Sequence, residues 1–209
     1  MKKTLSVTAL CLVLIILISI SFCKTERNLS DNLLRMHIIA NSDSKADQQT
    51  KLKVRDSILN EMGKELSSFP TASYAKVNVS KKLDKIKTIA QNTLIQEGIN
   101  EEVKVSLENT YFPRKSYHDI TLPKGNYDAL RVEIGNAKGQ NWWCVMFPPL
   151  CFTDCATGEI KEEDKEKLKS NLPKSEAELI TSDKNSIKVK FKLYELWQDG
   201  KEIINSIFN

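Results

Sequence analysis

The residues able to do chemistry in this sequence are few and lie far apart. There are two histidines, His37 and His118, and five cysteines, at positions 11, 23, 144, 151 and 155. A nucleophilic site needs a thiol or hydroxyl beside a base that a third group orients. Cys144 with His118 is the dyad to weigh, and neither an orienting residue nor an oxyanion donor can be named for it. His118 lies in a polar loop with Asp119, and His37 reads as a half-exposed strand residue beside Arg35. No GxSxG elbow, HExxH helix, Walker loop or GxGxxG turn is present. Asn41, Asp43 and Asp47 suggest a calcium loop, but Lys45 takes the third ligand position and Ala46 replaces the glycine such loops require. These three read as turn and capping residues. The sequence therefore calls for no catalytic residue, no metal and no cofactor.

Cys144, Cys151 and Cys155 lie close together without a CxxC pair or a companion histidine cluster, which argues against zinc. In an oxidising compartment three cysteines give one disulfide and one thiol left over. The other reading is three buried free thiols behaving as small hydrophobes. Pro148-Pro149 sets a turn between Cys144 and Cys151 and favours that pair as the disulfide, with Cys151–Cys155 as the competing bond.

The start of the chain bears on that choice. Lys2 and Lys3 precede an apolar run from Leu5 to Phe22, the layout of a secretory signal. Ser19 and Ser21 fit cleavage after Ser21, and cleavage after Cys23 fits nearly as well. The run approaches the ~18 to 20 residues that span a bilayer, so retention as a signal anchor is the alternative. Phe22 stands where a small residue should precede a lipidated cysteine, which disfavours a lipoprotein. Without Lys2 and Lys3 the formal charge falls from +4 to +2. That surplus, interleaved with Glu and Asp, does not make a nucleic-acid face. The expectation is an exported protein that touches membrane through its N-terminal segment before cleavage, followed by enough chain for one domain.

The elements that would position these side chains follow from periodicity. Residues 24–32 read as a polar tether. Leu33 to Ala40 alternates as a strand, and the Asn41 to Ser44 cluster caps a helix from near Lys45 to Pro70. Val79, Leu83, Ile86, Ala90 and Leu94 stripe a second helix over 72–97, which Gly98 ends. Period two returns at Val103, Val105 and Leu107, and Pro113 limits Tyr111 to Tyr117 to an edge strand at best. Leu130, Val132 and Ile134 lead through Gly135 to Gly139 into Trp142 to Phe147 as a β-hairpin. Residues 156–186 are charged and read as a mobile linker or solvated helix; 187–209 read as a strand and a short helix. The fold class expected is α+β: an antiparallel sheet with two amphipathic helices packed on one face, residues 33–155 forming the principal domain.

One run stands apart, Asn141 to Phe152 (NWWCVMFPPLCF), holding two of the three tryptophans, two prolines and two cysteines. Neighbouring strand residues point to opposite faces, so Trp142 and Trp143 cannot share one core. The outward one, with Pro149 and Leu150 in the following loop, is the candidate partner-binding surface.

At this run, and at Leu34 to Asp56 (LRMHIIANSDSKADQQTKLKVRD), Pro123 to Ile134 (PKGNYDALRVEI) and Gly135 to Phe152 (GNAKGQNWWCVMFPPLCF), the chain resembles the stage II sporulation protein R family of endospore-forming Firmicutes. The resemblance implies a signalling protein, not an enzyme. Such proteins are made in the forespore and exported into the space between the two sporulation membranes. There they activate a membrane-embedded aspartic protease of the mother cell, of the stage II sporulation protein GA type, which cleaves the precursor of the transcription factor sigma-E. The resemblance is thin beyond Phe152, and Cys155 stands outside its pattern. The reading from a different class is an extracytoplasmic thiol-dependent hydrolase using Cys144 or Cys151.

Overall fold

Alternation in Leu34–Ile39 sends Met36 and Ile38 to one side and Arg35 and His37 to the other, yet all six residues of this strand, β1, are buried. A strand buried on both sides must lie inside a sheet covered on both faces. The computed structural model, which describes residues 29–117, 120–151 and 162–181, shows that arrangement. Strands β2 (Val103–Phe112), β5 (Gly125–Ile134) and β6 (Asn141–Phe147) join β1 in one sheet of order β2-β5-β1-β6. Strands β3 (Lys115–Tyr117) and β4 (Ile120–Leu122) pair with each other as a separate hairpin.

The class is α+β, as the periodicity indicates, with two corrections, the first of which also removes the expected hairpin of β5 with β6, since β1 lies between those strands and pairs with both. The sheet is mixed: β1 runs parallel to β5, Met36 beside Leu130 and Ile38 beside Val132, while β2–β5 and β1–β6 are antiparallel. Parallel neighbours need a long crossover, and here α1 (Lys45–Leu66), α2 (Ala72–Ser80), α3 (Leu83–Gln96) and β2 supply it. The second correction is that residues 72–97 hold two helices. The stripe Val79, Leu83, Ile86 continues through the break, which hides it from periodicity. The backbone marks it, because the Lys82 N–H donates to the Val79 carbonyl three residues back.

The helices cover one face of the sheet. Val54, Ile58, Leu59, Met62 and Leu66 of α1, with Ile86, Ala90 and Leu94 of α3, pack on Met36, Ile38, Leu130, Val132 and Cys144. The opposite face carries a second core of Phe112, Ile120, Leu122, Tyr127, Val145 and Leu150. Two segments from outside the expected domain enter it. Leu29 and Leu33 are fully buried there, so residues 29–32 are part of the fold rather than a tether. Within the expected linker, α4 (Glu162–Asn171), α5 (Lys174–Thr181) and the turn between them bury Leu168, Leu172, Ala177 and Ile180 in the same core. Asn32 joins the two segments by donating to the Glu176 carboxylate at 3.0 Å. The expected signal, the cleavage sites and the strand and helix of 187–209 lie outside the described residues.

The β1–α1 and β5–β6 loops are tied together. Ser44 caps α1 by accepting from the Asp47 N–H, and Asp47 in turn accepts from Ser42 and Asn41. Asn41 Oδ1 accepts from the Asn136 N–H at 3.0 Å and Asp43 Oδ1 from the Gln140 N–H at 2.7 Å. The acidic cluster thus spends its oxygens on backbone, hydroxyl and side-chain amide donors. A Cβ on Gly139 would fall 2.2 Å from the Ser42 carbonyl oxygen, so glycine is required for the loops to meet.

Candidate interaction surface

Strand β6 places Asn141, Trp143 and Val145 on the outer face and Trp142, Cys144 and Met146 toward the helices. Trp142 packs against the helix-side core, with the Arg55 guanidinium 4.4 Å above its ring. Trp143 lies flat on the His37 ring, centroids 3.8 Å apart, and meets Phe112 edge-on at 4.7 Å. Both tryptophans are partly buried, and both are engaged. Pro149 is buried and Leu150 is only 1 % exposed. The expectation that an outward tryptophan, Pro149 and Leu150 present a ready contact surface is therefore corrected, because each face of β6 has its own core and the loop folds back into the outer one. The Leu150 N–H closes that loop on the Val145 carbonyl at 3.1 Å.

Cys144 and Cys151 are joined as a disulfide, with Cα atoms 5.5 Å apart, across a loop that contains the cis Phe147–Pro148 bond. Neither sulfur is then a thiolate, which removes the nucleophile from the Cys144–His118 dyad; His118 and Cys155 lie outside the described residues. Among the described residues no group of His, Cys, Asp or Glu is arranged to hold a metal ion, and no helix is long and apolar enough to cross a membrane.

His37 is 5 % exposed, not half-exposed, because Trp143 covers it. Its Nε2 pairs with Asn141 Oδ1 at 2.6 Å, while Nδ1 is buried without a hydrogen-bond partner. Burial pushes the imidazole pKa below its usual 6.5, more than the Asn141 bond raises it. Beside His37 on β5, Arg131 bonds both Glu108 at 2.9 Å and Glu133 at 2.5 Å.

Arg35 is the residue that sequence reasoning passed over. It is fully buried and lies in an aromatic cage, its guanidinium 4.1 Å from the Phe112 centroid and 4.9 Å from that of Tyr127. Nε donates to the Cys144 carbonyl at 3.4 Å and Nη2 to the Tyr117 hydroxyl at 2.6 Å, and Nη1 has no hydrogen-bond partner. The Tyr117 O–H passes the contact on to the Trp143 carbonyl at 3.0 Å. Burial pushes the Tyr117 pKa up, which keeps the hydroxyl a donor. A long basic residue in a strand ordinarily points to solvent, and nothing in the local sequence marks this one as buried.

Comparison with known proteins places this geometry in context. Residues 30–157 match the family described as Stage II sporulation protein R. The chain is similar to the Stage II sporulation protein R of Bacillus subtilis (strain 168), with 39% identity over 175 residues, covering 83% of this chain and 77% of that protein. No solved structure matches. The matched span takes in the whole sheet, the β3–β4 hairpin and the disulfide loop.

Proposed function

Because the chain belongs to the stage II sporulation protein R family, and so to a set of sporulation proteins, we propose that it is an exported signal between the two cells of a sporangium. In this reading it leaves the forespore through its N-terminal segment and activates a membrane-embedded aspartic protease of the mother cell, which cleaves the sigma-E precursor. The observation that carries the proposal is the family match over residues 30–157. Two features support it. The Lys2-Lys3 and Leu5 to Phe22 layout suits export, and a disulfide such as Cys144–Cys151 forms in oxidising compartments outside the cytosol. A protein that works by contact rather than by turnover needs binding groups, and the buried Arg35 Nη1 and His37 Nδ1 beneath the outer core are polar atoms without a hydrogen-bond partner. The test is complementation. The full chain, expressed in the forespore of cells lacking their own relative, should restore cleavage of the sigma-E precursor. Export of folded protein without cleavage would overturn the reading.

A further inference from the structure

A guanidinium taken out of water is costly unless a carboxylate and a full set of acceptors receive it. Arg35 has neither. No carboxylate bonds it among the described residues: Glu108 and Glu133, on its sheet face, are held by Arg131, and the buried Glu176 of α5 accepts from Asn32. Its hydrogen bonds leave one edge of the fork special. Nε is fixed to the Cys144 carbonyl, while the Nη1–Nη2 edge is held only by the Tyr117 hydroxyl, on Nη2. Two parallel N–H donors of this kind match the two oxygens of a carboxylate. The aromatic rings of Phe112 and Tyr127 stabilise the cation without consuming any donor.

We infer that Arg35 is a receptor for a carboxylate of the protein's binding partner, reached when Tyr117 swings off the guanidinium. The cover suits that role. Tyr117 is carried on a hairpin of two three-residue strands that pairs with no other strand among the described residues, and it touches Arg35 through one neutral hydroxyl. A carboxylate offers charge and two acceptors where the phenol offers one, so exchange favours the carboxylate once it has shed its water. Phosphate fits less well, because a dianion needs more donors than one guanidinium edge supplies. The Cys144–Cys151 bond fixes β6 to its loop and so holds the Cys144 carbonyl that anchors Nε.

This inference rests on the signalling function proposed above, and its test is built to fail separately. Wild type, Arg35→Met and Tyr117→Phe are compared as full chains in the complementation assay and, as purified protein, by thermal melting and by NMR of the Arg35 side-chain N–H groups. The NMR probe is sodium acetate against sodium chloride at equal ionic strength. Arg35→Met should melt at the wild-type temperature or above it, as buried charges replaced by apolar groups commonly do. It should nevertheless lose roughly tenfold or more in precursor cleavage, the scale of a lost charged hydrogen-bond pair. Tyr117→Phe should gain both cleavage and acetate response. Retained cleavage by Arg35→Met, or loss of melting temperature and cleavage in step, would make Arg35 purely structural and overturn the inference. Should Arg35→Met fail to fold, the titration decides alone: acetate-specific shifts at Arg35 support the receptor, and identical responses to acetate and chloride end it. Shifts from an Asp-containing peptide amide, but not from a peptide with a free C-terminal carboxylate, would assign the source to a side chain; the reverse would assign it to a chain terminus.

Discussion

His37 shows how one residue's surroundings set a solution property. Its folded pKa is lowered from 6.5, first by burial, with Arg131 adding to the shift and the Asn141 bond, Glu108 and Glu133 opposing it. The unfolded chain therefore takes up the proton at higher pH than the folded one, so the stabilisation is complete above 6.5 and declines as pH falls from there through the folded value. Urea unfolding at pH 7.5 and 5.5 should show lower stability at the acid pH, and His37→Phe, which keeps a ring against Trp143, should flatten the difference. Equal pH dependence in the two proteins would place the titration elsewhere. The tryptophans make a second case. Each packs on a different face of β6, so Trp142→Ala and Trp143→Ala should each cost roughly 2 to 3 kcal/mol, below the ~3 to 5 of a fully buried aromatic. Denaturant melts check this, and a value near zero for either would return that residue to the role of an exposed contact.

At the scale of elements, β6 and its loops depend on two fastenings. The disulfide closes a short loop, and replacing Cys144 and Cys151 together by Ser should cost about 2 to 3 kcal/mol, measured by unfolding with and without reductant; insensitivity to reductant would contradict the bond. The other fastening is the close approach at Gly139. Gly139→Ala drives a methyl into the Ser42 carbonyl, so a loss of about 1 to 3 kcal/mol is expected, again by denaturant unfolding. Much of this scale was legible from the residues. Period two marked β1, β2, β5 and β6, and Ser44 marked the start of α1. What stayed hidden has physical causes. The parallel placement of β1 beside β5 depends on how far apart in sequence the partners lie, which alternation does not encode. α4, α5 and the turn between them carry so few apolar residues that their composition reads as solvent-exposed, although Leu168, Leu172, Ala177 and Ile180 are buried. Arg35 was invisible because its burial is made by Phe112, Tyr117 and Tyr127, all more than seventy residues away.

For the whole molecule, the family match and the two-faced core describe one domain that begins by Leu29 and takes in α5. A secreted fragment intended to fold should accordingly start upstream of Leu29, not at Leu33. In the proposed function, export is the step everything else waits on. Leu14→Arg with Ile15→Arg adds two charges to the apolar run, each costing about 2.5 to 3.5 kcal/mol on insertion. The variant should stay in the producing cell and fail to signal, as cell fractionation would show. The most direct measurement of the central claim is reconstitution in a non-sporulating host that makes the full chain, the membrane-embedded aspartic protease and the sigma-E precursor together. The account predicts that the precursor is cleaved only when all three are present and the chain is exported. Cleavage that proceeds equally without the chain, or no cleavage with all three folded and correctly placed, would contradict it.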